Sequence, residues 1–336
     1  MLAIYCRKMP IFVEMVGSMK TKVLYVLVSG PGDLYLGQAF VSMYSVKRHT
    51  PGAHIVLLTD HVSDRTFAGP RAELLRYVDE KVVIDLPEDL TAQERSRLLK
   101  TGMGLYVGGD FLYVDCDTVI VRPLDSIDGI PFRLAAVRDA HCAFRDSPYR
   151  EANLHAGARL GWPVEGEDRY FNGGVMLVRE DAQTRAFFQG WQDNLRACWK
   201  VGLWMDQPAL AKTDFEQGHP LQELPDGWNC QLKHGIKYLK EAFVVHYLTT
   251  NPSEKLFLLN DPSVLEAVQG GELSEAILRT VEDPFEGIAS CTHTLCGEEL
   301  YLLRTRRYRC LRKHFRRGRF SLAEWLLKVY DHLFKS

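Results

Sequence analysis

Two carboxylates stand one residue apart at Asp115-Cys116-Asp117, directly after the apolar run Phe111-Leu-Tyr-Val. The pair stands at i and i+2 at the end of a buried strand, and on extended backbone residues two apart point the same way. Both carboxylates would then address one ion. Carboxylate oxygens favour hard divalent cations such as Mn²⁺ or Mg²⁺, and such cations bring phosphates with them. A cation at this place would act as a Lewis acid on a departing phosphate. The bland alternative is two solvated aspartates closing a strand, and a bare Asp-x-Asp often deserves it.

The surrounding pattern decides what must position these groups. Residues 22–29 (KVLYVLVS) form a short apolar run rich in β-branched residues, as in a buried parallel strand. A helical pattern carrying Leu36, Phe40, Met43, Tyr44 and Val46 follows and ends before Pro51-Gly52. Residues 54–59 and 81–85 read as strands, 91–106 as a helix and 111–114 as a strand. Further strands are expected at 133–137, 174–179 and 242–246, and a helix from 181 to about 199. Strand, helix, strand at this spacing predicts a doubly wound α/β sheet of mostly parallel strands flanked by helices. Ligands in such sheets bind beyond the carboxyl ends of the strands. That rule selects Ser29, Asp60, Asp115, Asp117, Asp139 and His246. Beyond residue 250 the pattern turns helical and charged, which suggests three parts: 1–18 as a poorly ordered extension, 19–250 as the main domain, and 251–336 as a helical basic appendage.

Composition limits the alternatives. Of 336 residues, 46% are hydrophobic and 25% charged, ordinary values for a globular chain. The net charge of −2 conceals an asymmetry. From residue 304 onward there are eleven Lys/Arg against two acids, which leaves about −11 on residues 1–303. An acidic body argues against nucleic acid as a partner. Eight cysteines without a Cys-x-x-Cys suit neither a zinc site nor a disulfide scaffold, and read as reduced thiols of a cytoplasmic protein. The first apolar stretch is broken by Arg7, Lys8, Pro10 and Glu14, unlike a signal peptide.

Taken in order, several segments resemble glycosyltransferase family 8, the retaining GT-A enzymes. They are Lys47-Arg-His-Thr-Pro51, Ile55-Val-Leu-Leu-Thr-Asp60, Ser96-Arg-Leu-Leu-Lys-Thr101, Phe111-Leu-Tyr-Val-Asp-Cys-Asp-Thr118, Ala136-Val-Arg-Asp139, Tyr170-Phe-Asn-Gly-Gly-Val-Met-Leu-Val178, Met205-Asp-Gln-Pro208 and Val245-His-Tyr247. The likeness spans roughly residues 22–247 and implies a GT-A, Rossmann-like fold. It implies that Asp115, Asp117 and His246 ligate Mn²⁺ (or Mg²⁺), which bridges the phosphates of a UDP-sugar. It implies donor contacts from Arg97, Lys100, Asp139, Asn172, Gly173 and Gly174, with Cys116 counted among them, and a place for Asp206 and Gln207 beside the anomeric carbon. The glycines would leave room for the donor to approach the backbone. Ser29, Asp33 and Tyr35, after the first strand, are candidates for the base site. The implied reaction moves a hexose from a UDP-sugar to the hydroxyl of a glycan or glycolipid, with retention. The sequence departs from the family after His246, where the diphosphate-clamping Lys-Pro-Trp is missing and Lys255 is the nearest substitute.

Two rivals and one appendage complete the reading. Four apolar residues followed by Asp-x-Asp-x-Thr also open haloacid-dehalogenase-type phosphatases, with Asp115 as nucleophile. A non-catalytic nucleotide-sugar-binding relative is the other. In the tail, residues 304–319 hold nine Arg/Lys and no acid, interleaved with aromatic and aliphatic residues. Such a segment either lies on the anionic inner face of a membrane, through 301–334, or packs against the acidic body.

Overall fold

The structure, a computed structural model, describes residues 19–234, 237–248, 259 and 261–284. Residues 1–18, Lys255 and the basic segment 301–334 lie outside the described residues. The strands are β1 (Lys22–Leu27), β2 (Ile55–Asp60), β3 (Glu80–Ile84), β4 (Phe111–Val114), β5 (Thr118–Ile120), β6 (Leu134–Arg138), β7 (Phe171–Val178), β8 (Gln222–Glu223), β9 (Cys230–Gln231) and β10 (Val244–His246). The α-helices are α1 (Tyr35–His49), α2 (His61–Asp64), α3 (Ala92–Tyr106), α4 (Arg150–Arg159), α5 (Ala182–Lys200), α6 (Asp206–Glu216), α7 (Pro262–Gln269) and α8 (Glu275–Glu282).

Seven strands form the main sheet in the order β3-β2-β1-β4-β7-β6-β8. β3, β2, β1 and β4 run parallel, β7 pairs antiparallel with both β4 and β6, and β6 pairs parallel with β8. β7 alone is therefore reversed. The expected mostly parallel sheet is present.

Alternation along β1 explains the layers. Val23, Tyr25 and Leu27 face a core shared with Phe40 of α1, whereas Leu24 and Val26 face one shared with Leu99 and Met103 of α3 and Phe188 and Trp191 of α5. Both sheet faces are thus covered, as parallel strands require. α3 starts at a capping box in which Thr91 accepts from the Glu94 N–H while Glu94 reaches back to the Thr91 N–H. Leu265, Val268, Ile277 and Val281, beyond residue 250, join the same core as α1. Gln38 donates to the Leu259 carbonyl at 3.0 Å, and Arg48 pairs with Glu282 at 2.6 Å. The described residues beyond 250 therefore pack on α1.

A second sheet, β5-β10-β9, positions part of the site. Its short strands give little sequence signal. β10 pairs antiparallel with β5 in a register that sets His246 opposite Thr118, and it runs parallel to β9 with His246 opposite Gln231.

One strand-end aspartate proves to have a structural role. Asp60 is fully buried, caps α2 by accepting from the Ser63 N–H (2.6 Å), and pairs with the Arg95 Nε at 2.5 Å. Both of its oxygens are engaged by protein, so it stands apart from the cluster that follows.

Candidate functional site

The strand β4 ends at Val114; Asp115 follows it, and Cys116 and Asp117 form the tight turn that leads into β5, so the turn brings Asp117 round beside Asp115. The Asp115 N–H donates to the Gly174 carbonyl (2.8 Å) and the Tyr247 N–H to the Asp117 carbonyl (3.0 Å), tying the turn to β7 and to the end of β10. His246 is thereby carried to the two carboxylates. Its Nε2 lies 3.2 Å from Asp117 Oδ1 and 3.8 Å from Asp115 Oδ2. One ligand atom from each of Asp115, Asp117 and His246 falls within 4.8 Å of the others. Two carboxylates and an imidazole suit a divalent cation of the Mn²⁺ or Mg²⁺ type.

The Cys116 thiol is not one of the three. It donates to the Val26 carbonyl (3.4 Å), and its side chain packs on the apolar core. Cys116, Cys142, Cys198 and Cys230 are all free thiols.

Behind the turn stands a buried charge cluster. The Lys100 Nζ contacts both oxygens of Asp115 (3.0 and 3.1 Å) and lies 3.4 Å from Asp206. The Arg97 Nε lies 3.2 Å from the other Asp206 oxygen. Arg97 and Lys100, one turn apart on α3, do reach a common anion, and it is the protein's own Asp206. The Tyr113 hydroxyl donates to Asp115. Asp206 opens α6 without acting as its cap, a place where the helix dipole favours a carboxylate.

The charges set one another. Burial alone would raise the Asp206 carboxyl, but Arg97 and Lys100 outweigh it and hold the group at about 2. Burial would lower the Lys100 ammonium, yet Asp115 and Asp206 raise it, while Asp206 raises Arg97 against its own desolvation. His246 is pulled down by burial and more strongly up by Asp117 and Asp115.

Linkage gives a first prediction. The folded value for Asp206 lies below the ordinary 3.8, so its stabilisation is complete above that value and is lost as pH falls towards about 2. The contribution is on the order of 2 kcal/mol. Asp206→Asn is expected to flatten the acid limb of stability in urea unfolding measured from about pH 5 to about pH 2. An unchanged slope would mean that the ion cluster adds no stability.

A chain of amides leads from the turn to Asp139. His246 Nδ1 meets Asn229 Oδ1 at 2.9 Å, and Asn229 Nδ2 donates to Asn172 Oδ1 at 3.0 Å. Asn172 Oδ1 also accepts the Gly174 N–H (3.0 Å), and its Nδ2 donates to Asp139 at 3.1 Å. Gln207 hydrogen-bonds the same Asp139, whose carboxyl burial raises despite these bonds from Asn172 and Gln207. Asp206 and Gln207 therefore divide their contacts, one to the cations and one to Asp139.

Asn172, Gly173 and Gly174 all lie within β7, which begins at Phe171, earlier than its sequence suggests. A Cβ on Gly174 would stand 2.2 Å from His246 Cε1 and 2.8 Å from Asp115 Oδ2. The room beside Gly174 is taken by His246 and Asp115. A Cβ on Gly173 would meet Leu210 at 3.4 Å and Trp191 at 3.8 Å, on the opposite, core-facing side.

After β1, Asp33 folds the loop onto itself by accepting from Ser29 Oγ (2.9 Å) and from the N–H groups of Gly30 (2.7 Å) and Tyr35 (3.1 Å). Arg71, which carries no motif signal, donates to Ser29 Oγ at 2.9 Å. Tyr35 is 53% exposed.

Sequence reasoning also missed Asn229 and Gln231. Ala140 and His141, just past Asp139, hold left-handed backbone with φ of 56° and 55°. Gln231 spans this turn, accepting from the Ala140 N–H (2.9 Å) and donating to the Arg138 carbonyl (2.8 Å). His141 Nε2 accepts the Gln231 N–H (3.0 Å), so its Nδ1 carries the proton towards Asp226 at 2.6 Å. Strained non-glycine backbone of this kind costs roughly 1–3 kcal/mol per residue and persists where the surroundings impose it. The only available signal was the short Trp228-Asn-Cys-Gln231 run.

No protein-family model matches the chain, and no curated protein sequence does. Solved structures match. The chain is similar, over 76% of its length and 98% of theirs, to the galactosyltransferase LgtC in complex with donor and acceptor sugar analogs, at 17% identity and a TM-score of 0.50. It is also similar to the apo bifunctional glycosyltransferase WbbM, at 17% identity and a TM-score of 0.50, covering 70% of this chain but only 47% of that one. The chain thus spans about half the length of WbbM. At this identity the likeness is one of fold: a GT-A, Rossmann-like sheet. No described helix is long and apolar enough to cross a membrane.

Proposed function

We propose that this chain is a metal-dependent glycosyltransferase of the family 8 type, moving a hexose from a UDP-sugar to a glycan or glycolipid hydroxyl with retention. The observation that carries the proposal is the convergence of Asp115, Asp117 and His246 at the carboxyl edge of a GT-A sheet. These three side chains would hold Mn²⁺ or Mg²⁺, which when bound supplies Lewis-acid stabilisation of the departing diphosphate. Lys100 and Arg97 stay cationic at neutral pH and add fixed positive charge beside that leaving group. Asp206, held at about 2, is a weak base and serves as a fixed negative charge for the oxocarbenium-like sugar. Asp139, Asn172 and Gln207 would bind sugar hydroxyls through the amide network they already share. The acceptor hydroxyl attacks from the leaving-group side, and the leaving phosphate oxygen takes its proton. Ser29, Asp33 and Tyr35 remain the proposed base site, and 301–334 the proposed contact with a membrane surface.

Metal removal tests the whole scheme. Full chain incubated with UDP-glucose, UDP-galactose or UDP-N-acetylglucosamine and Mn²⁺ is expected to release UDP from one donor, and chelation is expected to stop it. Phosphate release from p-nitrophenyl phosphate without UDP release would favour Asp115 as a phosphatase nucleophile. A UDP-dependent thermal shift without turnover would leave only a binding relative.

A further inference from the structure

The orientation of the His246 ring can be traced to a backbone group whose direction is beyond doubt. The Gly174 N–H can only donate, and it donates to the Asn172 side chain at 3.0 Å. The Asn172 atom it meets is therefore the carbonyl oxygen, and the Asn172 amide nitrogen faces Asp139, where it donates at 3.1 Å. The Asn172 oxygen also meets one atom of the Asn229 amide at 3.0 Å, which must be the nitrogen. Asn229 then has only its oxygen left for His246, at 2.9 Å from Nδ1. An amide oxygen accepts and never donates, so Nδ1 must carry a proton. The lone pair of the neutral ring is thereby confined to Nε2, the nitrogen that faces Asp117 at 3.2 Å and Asp115 at 3.8 Å. Each step is buried: Asn172, Asn229 and His246 are 5%, 0% and 2% exposed.

We propose that Asn229 is a positioning residue for the metal site. By accepting from Nδ1 it fixes the His246 tautomer and ring orientation, and by donating to Asn172 it ties that ring to the same amide that holds Asp139. The proposal rests on the metal reading above. Ligating imidazoles commonly have their other nitrogen fixed by an acceptor, and loss of such a partner weakens metal binding by about 10- to 100-fold.

Two substitutions separate positioning from mere packing. Asn229→Leu keeps the volume but supplies no acceptor. Asn229→Asp keeps an acceptor for Nδ1 and loses the donor to Asn172. Binding of Mn²⁺ alone, followed by loss of the free-ion electron paramagnetic resonance signal, reads both variants without turnover. Asn229→Leu is expected to weaken Mn²⁺ binding by about 10- to 100-fold, and Asn229→Asp to weaken it clearly less, because it keeps the acceptor for Nδ1 while losing only the bond to Asn172. Circular dichroism and thermal melts confirm the fold of each. Wild-type affinity in Asn229→Leu would overturn the proposal, as would equal losses in both variants. A wild-type chain that takes up no Mn²⁺ would instead remove the metal reading beneath it, so the two failures are told apart.

Discussion

Asp117→Asn is expected to lower Mn²⁺-dependent UDP release by about a thousandfold or more, near 4 kcal/mol of transition-state stabilisation. The substitution preserves shape and removes one negative charge from the three groups that converge. Asp117 is the cleaner choice of the two carboxylates. Asp115 also holds Lys100 at 3.0 Å and accepts from Tyr113, so replacing it would release a buried ammonium as well. Asp117 also supports His246, being the leading influence that raises the ring against the pull of burial. A proton on Nε2 competes with a cation for the same lone pair. Wild-type affinity for Mn²⁺ should therefore fall as pH drops through a value above the ordinary 6.5, and in Asp117→Asn that fall should move to lower pH. Turnover with UDP-sugar and Mn²⁺ titrations across pH check both parts. A variant that turns over as fast as wild type would show that the carboxylate holds no catalytic cation.

The cluster was partly legible in the sequence because its members end apolar runs. Asp115 follows Phe111–Val114 and His246 closes Val244–His246, and strand ends are where open sheets bind ligands. That rule cannot tell a ligand edge from a structural one. Asp60 satisfies it equally, and what sets it apart is that its oxygens are engaged by the Ser63 N–H and by Arg95, the latter thirty-five residues along the chain. Periodicity likewise gave the existence of the strands and not their direction. The reversal of β7 is set by pairing of residues such as Leu112 and Leu177, which no local window contains. Asn229 and Gln231 were invisible for a related reason. Gln231 sits in a two-residue strand and Asn229 in the turn just before it, and the position of both depends on β10, which depends on β5. The extended reading of Asp-x-Asp does not hold through Cys116 and Asp117 because those two residues turn the chain into β5, which pairs with β10.

Gly174 offers the sharpest test of whether the cluster works as a packed unit. Neither Gly173 nor Gly174 has a positive φ, so alanine suits the backbone at both, and the difference between them is space alone. A methyl group at 174 would lie 2.2 Å from His246 Cε1, far inside the roughly 3.5–4.0 Å at which carbons rest. Nothing nearby yields easily. His246 is held by its pairing to β5 and β9 and by Asn229, and Asp115 by Lys100 and by its own N–H bond to the Gly174 carbonyl. Overpacking of this kind costs about 1–3 kcal/mol when neighbours adjust. Here the neighbours that must adjust are two of the three ligands. Gly174→Ala is therefore expected to weaken Mn²⁺ binding by about 10- to 100-fold and to lower UDP release by about a hundredfold or more, because small displacements at a reacting centre carry losses of that size. Gly173→Ala is the matched control. Its methyl would meet Leu210 at 3.4 Å on the core side, and it should keep turnover within about threefold of wild type. Thermal melts on both separate a general loss of stability from a local one. If Gly174→Ala binds Mn²⁺ and turns over like Gly173→Ala, His246 can leave its place without consequence and cannot be a ligand.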